Sequence, residues 1–228
     1  MARQVATLAV LIAAFLAPGS PHASRAAELD GANAFGEVPL SDVLEVLVAN
    51  RELLAIDARG GSQTTERLRL EEIVLWKGAR GKVGMVLTNQ RILAVATQSG
   101  AWQATDVHRT ESRPEEALLG ERVALVVTNE RAIGFDGGSA NLVETSLGLR
   151  EEVLAQSVGE NVGVLVTNRR ALGLSPFVGG FSEIMLGLRE RIESVSAGAN
   201  VATITTDRRL LIYRSPSGSW EEKRLNLK

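Results

Sequence analysis

The chain has 228 residues, with 25 Lys and Arg against 27 Asp and Glu, and it contains no Cys. A net charge of −2 with both signs interspersed gives no electrostatic reason to expect nucleic-acid binding. The lack of Cys excludes a disulfide framework and a lipid-modified cysteine, yet a chain of this length can bury a core without either.

The N-terminal segment has the pattern of a secretory signal peptide. Arg3 supplies a positive charge, Val5 to Ala17 is an uncharged run of 13 residues, and small residues follow up to Ala26. A membrane anchor is the alternative, but a spanning helix needs about 17–25 apolar residues. The sequence therefore predicts a cleaved signal peptide over residues 1–26, a linker over 27–34, no membrane span in the mature chain, and a periplasmic or secreted location.

One short phrase recurs five times along the rest of the chain. The repeats are centred on Asn50, Asn89, Asn129, Asn168 and Asp207, with steps of 39, 40, 39 and 39 residues. Four of them read Thr-Asn/Asp-x-Arg, and the first reads Ala-Asn-Arg-Glu. A fixed period of this size marks a repeat architecture.

The fourth repeat shows what one unit contains. A β-branched run, 162–167, and a second apolar run, 170–174, flank Asn168-Arg169, which predicts a β-hairpin. Asn suits such a turn because it tolerates left-handed backbone. Residues 181–188 and 191–197 alternate with period two and read as further strands.

Other positions match from repeat to repeat. Aromatic residues recur 13 positions after the turn Asn or Asp, at Trp102, Phe181 and Trp220. Leucines recur 20 positions after it, at Leu70, Leu149, Leu188 and Leu227, with Arg109 in the second repeat. Glycines recur nine positions before it, at Gly120, Gly159 and Gly198.

Four short antiparallel strands in each unit of about 40 residues resemble a β-propeller blade. The predicted fold class is all-β, a five-bladed β-propeller of four-stranded antiparallel blades. The predicted blades span about 35–70, 71–110, 111–149, 150–188 and 189–228, and the first must take its inner strand from Phe35–Leu40. The blades are distantly WD40-like, because two second strands end in Ile56-Asp57 and Phe135-Asp136 where that family has Trp-Asp.

The repeated turns have two interpretations. In the first they build the blades, with Asn shaping the turn and Arg pairing with an acid of the same or an adjacent blade, drawn from Glu71–Glu72, Glu115–Glu116, Glu151–Glu152 and Glu190. Alternatively a ring of Asn and Arg donors grips a glycan or an anion. Repetition favours the structural reading, which covers the turn residues Asn50, Asn89, Arg91, Asn129, Arg131, Asn168, Arg170, Asp207 and Arg209.

Departures from the repeat are the better candidates for ligand binding. The second blade carries Asp106, His108 and Arg109 where its neighbours have apolar or small residues, and Trp76 and Lys77 lie on the way into it. Simpler readings make Trp76 a core aromatic and His108 an exposed strand residue. Since only one His lies outside the predicted signal region and Cys is absent, neither a metal site nor a cofactor is expected.

These features predict a non-catalytic, extracytoplasmic binding or scaffold propeller that is a monomer and whose partner is a protein or a surface polymer. The first alternative is a lectin-like glycan binder, since five-bladed rings also occur among lectins of the tachylectin type. It requires Trp102 and Trp220 to be exposed. The second alternative is a small hydrolase of glycosidase type, which requires two carboxyl groups about 5–10 Å apart in a cleft.

Overall fold

A computed structural model describes residues 43–224, and these residues form five antiparallel sheets that follow one another in chain order. The first sheet contains β1 (Leu44–Ala49), β2 (Glu52–Asp57) and β3 (Gln63–Arg67). The second contains β4 (Val74–Arg80), β5 (Val83–Thr88), β6 (Arg91–Ala96) and β7 (Gln103–Asp106). The third contains β8 (Leu118–Leu119), β9 (Val123–Val127), β10 (Arg131–Asp136) and β11 (Asn141–Ser146).

The fourth sheet contains β12 (Val153–Val158), β13 (Gly163–Thr167), β14 (Arg170–Leu174) and β15 (Phe181–Met185). The fifth contains β16 (Ile192–Ala197), β17 (Val201–Thr206), β18 (Arg209–Arg214) and β19 (Ser219–Arg224), with a 3₁₀ turn, Ser215–Ser217, before its last strand. In every sheet each strand pairs with its neighbour in sequence. The prediction of an all-β, five-bladed β-propeller is confirmed.

The first blade is described only in part. Within residues 43–224 it has three strands, and β1 pairs only with β2, whereas the other four blades have a further strand on that side. The segment predicted to supply this strand, Phe35–Leu40, lies outside the described residues, as do the predicted signal peptide and linker.

The core lies between consecutive blades. Side chains of β1 and β2 pack on β5 and β6, those of the second blade pack on the third, and the pattern continues to the fifth. Every residue of β5 and β6 is buried, because the second blade is covered on both faces. In β2 and β17, by contrast, buried residues alternate with partly exposed ones, since each of these strands is covered on one face.

Glycine spacing reflects how closely the blades approach. Backbone hydrogen bonds join consecutive blades, with N–H donors at Lys82, Arg122 and Asn161 and carbonyl acceptors at Glu121, Glu160 and Ala199. Beside this ladder, a Cβ on Gly120 would overlap Gly159 O, and a Cβ on Gly159 would overlap Gly198 O. Backbone contact between blades therefore explains Gly120 and Gly159, whereas a Cβ on Gly198 would meet only Val201 O of its own blade, at 3.6 Å.

This contact makes a prediction about Gly159. The Gly159→Ala variant should lose about 1–3 kcal/mol of unfolding free energy, because the added methyl group must push two blades apart. Gly179→Ala is the matched control, since nothing lies within 4 Å of the Cβ it would add. Urea denaturation of the three proteins measures the difference, and equal stability of the two variants would contradict close packing at Gly159.

Candidate functional site

The repeated Asn and Asp turns lie beside the connections between blades, to which they are hydrogen-bonded. The side of the molecule that carries these turns and connections is here called the turn face. Beneath it, an Arg–Glu ion pair joins each of the four turns that read Thr-Asn/Asp-x-Arg to the connection before it. In the third blade, Arg131 Nε and Nη2 contact the two carboxylate oxygens of Glu111 at 2.8 and 2.9 Å. The side chains are 7% and 0% exposed. Thr128 Oγ1 donates to the same carboxylate at 2.7 Å. We call this arrangement the Arg–Glu cluster.

The same Arg ties the outer part of the blade to its neighbour. Arg131 Nη1 contacts Glu144 Oε2 at 2.6 Å, and its Nη2 also donates to Asp106 O in the second blade at 2.6 Å. Equivalent clusters hold the other turns that read Thr-Asn/Asp-x-Arg, and their buried pairs are Arg91–Glu72, Arg170–Glu151 and Arg209–Glu190. In all four of these repeats the turn Arg is therefore paired with a Glu.

In the third blade the partner is not the acid that the spacing suggested. The sequence pointed to Glu115 or Glu116, whereas the structure uses Glu111. Glu111 lies 18 residues before the turn Asn, and its equivalents lie 17 before theirs, because the extra residue of this repeat falls between Glu111 and the turn.

The buried carboxylates are held in their ionised form. Burial is the largest single influence on Glu111 and on its own would raise its pKa. Hydrogen bonds from Arg131, Thr128 and the His108 N–H together outweigh burial, so the pKa of Glu111 is lowered. The pKa values of Glu72, Glu151 and Glu190 are lowered for the same reasons. This direction is opposite to the raised pKa that a glycosidase needs for its general acid.

The turn Asn has a role that the sequence did not suggest. Asn168 Oδ1 accepts from Glu152 N–H, and its Nδ2 donates to Arg150 O, which fastens the turn to the start of the inner strand. Positive φ in these turns occurs only in the first repeat, at Asn50 and Arg51. The expectation that Asn is present for left-handed backbone is wrong for the other four, where its side-chain hydrogen bonds explain it.

Three leucines project from the turn face. Leu70, Leu149 and Leu188 are 76%, 88% and 87% exposed, although they occupy equivalent positions in three repeats. The sequence showed that this position recurs but assigned Leu188 to a strand over 181–188. In the structure β15 ends at Met185, so Leu188 lies in the following turn. The recurrence of leucine at this position was the sequence feature that could have indicated a role at the surface.

Each of these leucines occupies the tip of a tight turn that is held from below. Glu151 N–H donates to Gly148 O at 2.8 Å, and Gly148 N–H donates to the buried Glu151 carboxylate at 2.7 Å. Between them stand Leu149 and Arg150, and the latter has φ +64°. Arg169 Nη2 fixes the Leu149 carbonyl at 2.8 Å. The leucine tip is thus a rigid extension of the Arg–Glu cluster.

In the second blade the equivalent tip carries Arg109, and beside it opens a polar cavity of about 770 Å³. Asp106 and His108 also line this cavity, so three of the five residues predicted to bind a ligand lie together. The remaining lining residues are Arg69, Asn89, Gln90, Val107, Glu111 and Arg113.

Two cations in this cavity lack an acidic partner. Arg69 Nη1 contacts Asp106 Oδ1 at 2.6 Å, and His108 Nδ1 lies 3.5 Å from Glu130 Oε2. Within residues 43–224, Arg109 and Arg113 form no ion pair. Their charge gives the cavity the capacity to bind carboxylate or phosphate groups.

The other two predicted ligand-binding residues lie elsewhere. Trp76 is half-buried and packs against the core between the second and third blades. Lys77 Nζ donates to Val46 O of the first blade at 2.9 Å. The five residues therefore do not form one site.

The recurring aromatic side chains lie between blades. Trp102 and Trp220 are half-buried, and their indole N–H groups donate to Thr64 O and Ser182 O of the preceding blades. Trp220 also packs on Tyr213, with ring centroids 5.0 Å apart. Phe181 packs against the core between the third and fourth blades. These contacts are those of side chains that hold blades together, so the exposed aromatic surface required for the lectin alternative is not present at Trp102 and Trp220.

Searches of protein-family models and of curated proteins find no match to this chain. Among solved structures, human WBSCR16 is similar with a TM-score of 0.40 and 10% identity, over 75% of this chain and 60% of that one. Prp20p from Saccharomyces cerevisiae gives 0.36 and 14%, over 74% and 56%. The N-terminal domain of Nup159 gives 0.35 and 9%, over 80% and 58%. The chain thus spans about three fifths of the length of these structures.

No helix among residues 43–224 is long and apolar enough to cross a membrane. In the same range, no group of three or more His, Asp and Glu side chains is placed to hold a metal ion.

The lowered carboxylate pKa values predict how stability depends on pH. A group whose pKa is lower in the folded state stabilises the protein above its unfolded pKa, and this stabilisation is lost as pH falls through the folded value. The unfolding free energy should therefore decline as pH falls below the ordinary Glu pKa of 4.5. Chemical denaturation across pH 3–7 measures it.

Glu111→Gln supplies the control for this prediction. The variant is less stable at neutral pH, because Arg131 loses its buried partner, but it also lacks one of the titrating groups. Its deficit relative to the unaltered protein should shrink as pH falls through the lowered pKa. A deficit that stays constant with pH would contradict a lowered Glu111 pKa.

Proposed function

We propose that this protein is a non-catalytic binding scaffold and that its partner is another protein, which docks on the turn face. One observation carries the proposal: Leu70, Leu149 and Leu188 project from equivalent turns at 76%, 88% and 87% exposure. Single exposed leucines are ordinary, but three at a repeated position form a pattern that packing within the blades does not explain.

The rigidity of the leucine tips supports this proposal. Arg150 and Arg189 have φ values of +64° and +63°, a conformation that costs a non-glycine residue about 1 kcal/mol or more. Both turns keep this conformation because the buried Glu151 and Glu190 carboxylates accept hydrogen bonds from Gly148 N–H and Gly187 N–H. A partner therefore meets turns whose backbone is already in place, which lowers the entropic cost of association.

A protein fits this surface better than a glycan does. Glycan sites use aromatic platforms, whereas the tips here are aliphatic and Trp102 and Trp220 are occupied between blades. Burying one leucine side chain in an apolar pocket of a partner is worth about 1.5–3 kcal/mol. The matching partner surface has an apolar pocket for each leucine tip.

The cavity beside Arg109 adds a charge requirement. Arg109 and Arg113 line it without acidic partners in the described part of the chain, so acidic side chains of the partner are the complementary groups. The predicted signal peptide over residues 1–26 supports a periplasmic or secreted partner, and the protein is expected to act as a monomer.

The leucine tips can be tested by paired substitution. A photo-reactive amino acid at residue 149 or 188 should crosslink a protein from the native extract, and that protein, once identified and purified, serves as the binding probe. The Leu149→Ser/Leu188→Ser variant should bind it at least about tenfold more weakly, since each side chain contributes at a contact centre. Isothermal titration calorimetry measures the affinity.

Phe177→Ser is the matched control, because Phe177 is also an exposed apolar side chain, at 49%, but lies in the loop between β14 and β15, away from the turn face. It should leave the affinity unchanged. Equal affinity of the serine pair and the unaltered protein would exclude the leucine tips as the docking surface.

The cavity makes a separate prediction. Arg109→Gln/Arg113→Gln should slow association with the same partner and flatten the dependence of the association rate on salt, because complementary charges act mainly on encounter. Stopped-flow measurements between about 50 and 300 mM salt detect both effects. Arg59→Gln controls for a loss of general positive charge, and a salt dependence equal to that of the unaltered protein would exclude the cavity from the interface.

A further inference from the structure

The tip of the second blade has the same backbone frame as the leucine tips. Glu111 N–H donates to His108 O at 3.1 Å, and His108 N–H donates to Glu111 Oε2 at 2.9 Å. The same two hydrogen bonds, at 2.6–3.1 Å, close the other tips, where they join Arg69 to Glu72, Gly148 to Glu151 and Gly187 to Glu190. Arg109, which is exposed, therefore occupies on its own blade the place that leucine occupies on the first, third and fourth blades.

The surroundings of Arg109 are changed together with it. At the first and third tips, a side chain of the next hairpin donates to the carbonyl of the tip leucine, at 3.0 and 2.8 Å. The corresponding side chain beside Arg109 is Glu130, whose carboxylate cannot donate and instead lies 3.5 Å from His108 Nδ1. His108 itself replaces the glycine found at positions 148 and 187. The second tip is thus distinct in several side chains and not only in the loss of leucine.

Arg109 excludes an apolar pocket from this tip. The acidic side chains around it are bound by other basic side chains, in the pairs Asp106–Arg69, Glu130–His108 and Glu111–Arg131. A partner pocket that suits leucine would have to take the Arg109 guanidinium out of water without an acid to receive it. Because burial of an unpaired charge is costly, such a pocket is rejected here, whereas an acidic side chain of the partner is accepted.

This exclusion distinguishes one binding register from the others. The leucine tips share one frame, so a partner with apolar pockets alone could bind equally well after a shift by one blade. The order along the first four blades is instead leucine, arginine, leucine and leucine, at positions 70, 109, 149 and 188. A partner that matches this order places an apolar pocket over Arg109 whichever way it is shifted by one blade. Specificity of this kind comes from a penalty on the wrong arrangement.

We propose that Arg109 is the specificity-determining residue of the turn face. It fixes the register of a protein partner whose surface presents an apolar pocket, an acidic side chain and two further apolar pockets, in that order, to the first four blades. This inference rests on the proposed docking of a protein on the leucine tips, and it adds the order of the partner's groups and the residue that enforces it.

The register is tested with Arg109→Leu in the full chain, against the partner that crosslinks to the leucine tips. A photo-reactive amino acid at residue 149 should crosslink to one segment of that partner, which peptide mass spectrometry identifies. Arg109→Leu completes the row of leucines, so residue 149 should then also crosslink to a second segment, from complexes shifted by one blade. Arg109→Lys is the control, because it keeps the charge and should keep the single segment.

A charge exchange tests the acidic group of the partner. Arg109→Glu should weaken binding at least about tenfold in isothermal titration calorimetry, because two acids then face each other. Each acidic residue in the crosslinked region of the partner is then replaced by Arg in turn. One of these replacements should restore most of the affinity that Arg109→Glu loses, and the same replacement should weaken binding to the unaltered chain.

The outcomes separate this inference from the proposed function. A single crosslinked segment with unchanged affinity in Arg109→Leu would overturn the role of Arg109, and so would the lack of any restoring replacement. Weaker binding by Leu149→Ser/Leu188→Ser would in that case still support docking on the leucine tips. Unchanged binding by the serine pair would instead exclude the docking surface itself.

Discussion

Everything on the turn face depends on the buried pairing of Arg with Glu. An ionised carboxylate without a partner would be costly in a buried place, and removal of either member from such a pair usually destabilises a protein by about 3–5 kcal/mol. Each Glu here is satisfied by Arg, by Thr and by a backbone N–H, as Glu111 shows. The pair thus joins the hairpin, the connection between blades and the outer strand of the neighbour.

The same pairing explains why rigid leucine tips occur where they do. The Glu151 carboxylate that neutralises Arg170 also receives Gly148 N–H, so the tip that carries Leu149 is stabilised by a structural feature that the blade needs in any case. In the second blade the equivalent turn carries Arg109 in place of leucine. A common scaffold therefore presents different side chains from blade to blade, and recognition can change at a tip without disturbing the buried pair below it.

Much of this architecture can be predicted from the sequence, because the period is regular and Gly, Asn and Arg recur at fixed offsets. The pairing of turn Arg with a nearby acid followed from charge alone. Charge alone did not identify Glu111, rather than Glu115, as the partner of Arg131, because a one-residue insertion moves the acid relative to the turn. The exposure of Leu188 could not be predicted from the sequence either. The alternation of apolar and polar residues continues past the end of β15, whereas strand pairing ends at Met185. The local sequence pattern indicates strand propensity, whereas the exposure of a side chain depends on where the neighbouring strand ends.

Small residues recur where one blade receives a large side chain of the next. Five residues after the turn Asn, blades one to four have Ala55, Ala94, Gly134 and Gly173. A Cβ at Gly173 would come within 2.6 Å of the Tyr213 ring, so a small residue is needed where the fifth blade places a large one. The fifth blade has Ile212 at this position, with Thr203 and Thr205 on the same face. The same strand position thus takes a glycine or a β-branched residue according to what packs against it, which strand propensity alone does not decide.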